Sequence, residues 1–120
     1  MVHFYHKNQL TSKLHYGILQ YAMTQKITKR IQRSDIPEKY GIKYLALFGS
    51  FVTNKFKKDS DIDILVEFVQ PIGFLKFVRL ENELSRLFNQ KVDLVTKNSL
   101  SKFFRDDVLK KMQIIYAHQG

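Results

Sequence analysis

Leu47-Phe48-Gly49-Ser50, ten further residues, and then Asp61-Ile62-Asp63-Ile64 form the stretch on which the reading of this chain turns. The apolar run Ile42 to Phe48 reads as a fully buried strand, and Gly49 breaks it. Asp61 opens a second strand, with Ile62, Ile64 and Val66 toward a core and Asp61, Asp63, Leu65 and Glu67 on the opposite face. Side chains two apart on a strand share a face. Asp61 and Asp63 therefore aim their oxygens at one point beside the Gly49-Ser50 turn. Paired hard oxygen ligands next to exposed backbone N–H groups suit Mg²⁺ together with a nucleoside triphosphate.

Outward from this stretch the chain alternates between helical and extended patterns. From Thr11 to Arg33, Leu14, Ile18, Tyr21, Ile27 and Ile31 fall at near-helical spacing and predict one or two amphipathic helices, while residues 1–9 carry no clear period. Ser34-Asp35-Ile36-Pro37 predicts a helix stop and a short helical turn, with Gly41 as a C-cap. Phe51 to Asn54 reads as the start of a helix and Lys55 to Ser60 as a charged loop. Phe74, Phe77, Leu80, Leu84, Leu87 and Phe88 mark the core face of a helix over about residues 72–88. Lys91 to Thr96 alternates again, placing Val92 and Leu94 inward and Asp93 on the other side. A last helix containing Phe104, Val108, Leu109 and Met112, capped by Asn98 or Ser99, precedes a short edge strand over Ile114 to Ala117. The pattern predicts an α/β or α+β domain, with helices covering one face of a small sheet.

If the second and third strands are neighbours, Asp93 joins Asp61 and Asp63 on one sheet face, under about 5 Å away. Three crowded acids repel one another unless a cation neutralises them. Gly49 allows a close approach of backbone to ligand, and Ser50 can offer its hydroxyl and the following N–H groups to phosphate oxygens at a helix start. Lys55, Lys57 and Lys58 can reach the triphosphate from the loop. Other chemistries are excluded or disfavoured. G-x-x-x-x-G-K-[ST] does not occur. His3, His6, His15 and His118 have no ligand pairing, and without cysteine neither disulfides nor thiolate chemistry is available. A nucleophile elbow is missing too.

The spacing from Leu47-Phe48-Gly49-Ser50 to Asp61-Ile62-Asp63 resembles the signature of the minimal nucleotidyltransferases of the DNA polymerase beta-like superfamily. The likeness runs on through Ile64-Leu65-Val66-Glu67-Phe68 and Lys91-Val92-Asp93-Leu94-Val95-Thr96, and covers roughly Ile27 to the C-terminus. It implies a small mixed β-sheet backed by helices, the polymerase beta-like palm. It further implies Asp61 and Asp63 as Mg²⁺ ligands (two ions), Asp93 as third ligand or general base, and Gly49 and Ser50 as the cradle of the triphosphate of ATP. Members of this size are often antitoxins paired with a HEPN-domain ribonuclease toxin, and some transfer AMP to a toxin tyrosine. The chain departs from the family at Thr53 and Asn54, where many relatives carry Arg and Gly; Lys55 and Lys57 are then the candidates for contacting phosphate. Residues 1–23 exceed the usual family length and read as an N-terminal extension or arm, leaving 24–120 as the nucleotidyltransferase domain.

Composition is consistent with one domain of 120 residues, 44% of them hydrophobic. The formal charge of +9 is concentrated in residues 1–60, which hold 11 Lys/Arg against 3 Asp/Glu. Such a half attracts polyanions: nucleotide phosphates, nucleic acid or an acidic partner. An acceptor in RNA or in a small molecule therefore stays open, as does neutralisation of a toxin by binding alone. Neither a membrane-spanning stretch nor a signal peptide is present, so the cytoplasm is the expected location.

Overall fold

A computed structural model describes residues 2–53 and 59–119, with side chains from residue 14 onward. Lys55, Lys57 and Lys58 lie outside the described residues, as do the side chains of His3, Tyr5 and His6. In chain order the elements are helix α1 (Val2–Gln32), α2 (Ile36–Tyr40), strand β1 (Ile42–Phe48), a single 3₁₀ turn (Gly49–Val52) and β2 (Ile62–Phe68). Helix α3 (Phe74–Phe88), β3 (Val92–Thr96), a second 3₁₀ turn (Lys97–Ser99), α4 (Lys102–Lys111) and β4 (Gln113–Ala117) follow.

The four strands form one mixed sheet in the order β3-β2-β1-β4. Strand β1 pairs antiparallel with both β2 and β4, while β2 and β3 run parallel. Parallel neighbours need a crossover, and α3 supplies it. Gly41 at φ +62° and Asn89 at φ +52° end α2 and α3 in the left-handed conformation, where each backbone N–H meets a carbonyl of the last turn.

One sheet face carries Leu45, Leu47, Ile62, Ile64, Val66, Val92 and Leu94. It is closed by Ile27 and Ile31 of α1, Tyr40 of α2, and Leu80, Leu84 and Phe88 of α3. The opposite face is also covered, contrary to the expectation of helices on one side only. Val108 of α4 packs there on Ala46, Phe48 and Leu65. Strand β1 is accordingly apolar on both faces over its last four residues, which periodicity alone cannot assign to a layer.

Further expectations are corrected. Helix α1 is one unbroken element that includes residues 2–9. Its core stripe begins only near Thr24: Ile27 and Ile31 are buried, whereas Leu14, Ile18 and Tyr21 are exposed among the described residues. Phe74 lies at the first turn of α3, ahead of the sheet, and is 78% exposed rather than core. The helix expected from Phe51 is only the 3₁₀ turn ending at Val52, and α4 starts after Ser101 rather than after Asn98 or Ser99.

Candidate active site

The acids and the glycine turn meet at one end of the α4 face. Phe48, the last residue of β1, lies opposite Asp63 in the β1–β2 ladder, and Asp63 lies opposite Asp93 in the β2–β3 ladder. Neighbouring strands are about 4.8 Å apart, so Asp63 and Asp93 stand side by side on one surface. Asp61 sits one residue before β2. Its position is held by two links: Ile62 N donates to Lys91 O at 2.8 Å, and the Gln90 side-chain amide donates to the Ser60 carbonyl. Lys91 Nζ approaches Asp61 Oδ2 at 3.7 Å, an exposed contact of little energetic weight.

Gly49 adopts φ +66° against Asp63. A Cβ at position 49 would overlap the Asp63 carboxylate, standing 3.1 Å from its Cγ, so the turn accepts no larger residue without displacing that acid. The Ser50 backbone N–H donates to the Asp63 carboxylate. Burial foremost, then the charges of Asp93 and Asp61, push the Asp63 carboxyl above the usual carboxylate range, and the Ser50 N–H only partly offsets them.

Two polar residues that periodicity hides fix the strand bearing Asp93. Ser85 Oγ accepts from Val92 N at 3.0 Å, and Glu81 Oε2 accepts from Leu94 N at 2.9 Å. These bonds flank Asp93 and lock its stretch of backbone to α3. Glu81 and Ser85 lie four apart on a helix and read in sequence as part of a solvated face. The sole signal for them is their place beside Leu80 and Leu84.

The donor set fits a hard divalent cation in kind. All three side chains are carboxylates, and the part of the upward push on Asp63 that comes from the charges of Asp93 and Asp61 is one a cation relieves. The side chains are adjacent without being drawn in: among the described residues, no three His, Asp or Glu side chains form a group able to hold a metal ion. Asp61, Asp63, Asp93, Gly49 and Ser50 are thus together at one sheet end.

A sheet carrying paired acids beside a glycine turn, with a helical crossover between the acid-bearing strands, is a nucleotidyl-transfer architecture. Residues 29–115 match the nucleotidyltransferase domain family. The chain is 39% identical over 85 residues to the protein adenylyltransferase MntA of Thermococcus cleftensis, covering 71% of this chain and 84% of that one. A toxin–antitoxin structure with AMP-PNP superposes with a TM-score of 0.62 at 22% identity over 77% of this chain and 74% of the other, a likeness of fold. The structure of a tri-AMPylated Shewanella oneidensis HEPN toxin in complex with MNT antitoxin superposes at 25% identity and TM-score 0.55, over 83% of this chain and 74% of its counterpart. This chain belongs to the minimal nucleotidyltransferase family and is an enzyme of the nucleotidyltransferase class. Among the described residues no helix is long and apolar enough to cross a membrane.

Proposed function

We propose that this protein transfers AMP from ATP to a tyrosine hydroxyl of a cognate HEPN-domain toxin and so acts as its antitoxin in the cytoplasm. The observation that carries this reading is the side-by-side placement of Asp63 and Asp93 against the Gly49-Ser50 turn. The adenylyltransferase named in T. cleftensis and the AMPylated toxin of S. oneidensis support the choice of AMP and acceptor. Residues 24–120 would form the transferring domain and residues 1–23 an arm.

Asp61, Asp63 and Asp93 would hold Mg²⁺. Bound there, the cation lowers the pKa of the attacking hydroxyl and neutralises charge on the triphosphate. The protein's own parts then have distinct tasks. Gly49 keeps the turn flat enough for phosphate to lie close to backbone, and Ser50 offers its hydroxyl to a phosphate oxygen. Asp93, held by the α3 clamp, takes the hydroxyl proton. The tyrosine oxygen bonds to the α-phosphorus, the bond to the β-bridging oxygen breaks, and pyrophosphate departs. Lys55 and Lys57 are the nearest candidates in sequence for the triphosphate tail.

The test is transfer of label from α-labelled ATP to a co-expressed toxin. Asp61→Ala or Asp63→Ala alone should cost about 10²–10³ in turnover, and the double variant should label nothing. Undiminished labelling by the double variant would overturn the reading. Full toxin neutralisation by that inactive variant would instead assign the chain to neutralisation by binding.

A further inference from the structure

Helix α4 covers the sheet face that carries the acids, and one of its aromatic side chains belongs to neither the core nor the acid cluster. Phe104 is 48% exposed, yet it stands edge-on to Phe48, with ring centroids 6.4 Å apart and planes at 72°. Phe48 is the residue paired with Asp63, so this ring stands one side chain away from the acid site. Phe104, Phe48, Gly49, Val52 and Val108 line a cleft of about 120 Å³ between the 3₁₀ turn and α4. That is the volume of roughly four water molecules, enough for a flat ring and too little for a whole nucleotide. The pair Asp107–Lys111, at 3.1 Å, stands at the rim.

The cleft therefore opens from the glycine turn, and its walls are largely apolar. Phosphates need donors and cations, and the acid side of Gly49 is where a cation would sit. Next to that anchor, the half-exposed ring of Phe104 is an aromatic surface available to a base. We propose that Phe104 is the stacking platform for the nucleobase, a purine for its larger ring area, with Phe48 holding the platform edge-on from behind. The inference rests on the nucleotide reading above and adds a specificity-determining residue to it. Aromatic–base stacking loses roughly 5- to 150-fold in affinity when the ring is removed.

The experiment measures binding of ATP and of inorganic tripolyphosphate, each with Mg²⁺, to the full chain. The proteins are wild type, Phe104→Ala and Phe104→Tyr, each checked for an unchanged circular-dichroism spectrum and melting temperature. The expected result is a loss of ATP affinity of roughly 5- to 150-fold in Phe104→Ala, unchanged tripolyphosphate affinity, and recovery in Phe104→Tyr. Equal ATP affinity in Phe104→Ala, or an equal loss for both ligands, overturns the platform. A wild type that binds ATP no better than tripolyphosphate overturns it as well and leaves the phosphate site standing. A wild type that binds neither ligand overturns the platform together with the nucleotide reading.

Discussion

The two faces of the sheet are built on opposite terms. Toward α1 and α3, Leu45, Leu47, Ile62, Ile64, Leu80 and Leu84 are essentially inaccessible and pack into one apolar cluster. Toward α4, Leu65 and Val108 are buried alike, but the same face ends in Asp63 and Asp93 with a left-handed glycine pressed against Asp63. One face contributes stability. The other gives some of it up to hold like charges together. Binding sites commonly carry such a conflict, and here it is confined to the ends of β2 and β3.

Breaking the apolar face should have the largest effect on folding. Leu84→Ala removes a side chain of zero exposure and should cost about 2–5 kcal/mol, read as a shift of the urea midpoint. A loss below about 1 kcal/mol would mean that the helix-backed face is not where stability resides. Gly49→Ala comes next, forcing an alanine into φ +66° and against Asp63. About 1–2 kcal/mol of stability should go, with label transfer falling far more steeply. Retained transfer would show that the turn need not touch its ligand.

The smallest effect has the opposite sign. Because the folded state raises the Asp63 pKa, it holds that proton more tightly than the unfolded chain. Stability is therefore lost as pH climbs from about 4, the unfolded value, through the folded one, and stays lower above it. Asp63→Asn removes this loss. In chelator at pH 7 the variant should melt a few degrees higher than wild type, the gap closing toward about pH 4. Added Mg²⁺ should raise the wild-type melting temperature and leave the variant unmoved. An Asp63→Asn chain less stable than wild type at pH 7 would place the carboxylate among the stabilising groups instead.

The strands were readable from sequence because their evidence is local. Ile42 to Phe48 and Ile62 to Phe68 carry their apolar pattern in consecutive residues, and the acids sit at fixed offsets within it. What sequence could not supply was partnership between distant segments. The stripe Leu14, Ile18, Tyr21, Ile27 and Ile31 has one period, yet the sheet lies under only its second half. Leu65 shares its strand face with Asp63, and its burial depends on α4, more than forty residues on. The clamp by Glu81 and Ser85 escaped for the same reason, since its targets are backbone groups of a strand yet to come.

That clamp has a consequence beyond the acid it steadies. Strand β3 forms one border of the sheet, where outward N–H groups invite another chain to add on. At Val92 and Leu94 those donors are already engaged by α3, so this border is closed to templated growth. Strand β4 is the other border, and no comparable helix side chain is found on its backbone among the described hydrogen bonds. Extension of the sheet by a foreign strand, in assembly or in aggregation, is thereby directed to the border away from the acids.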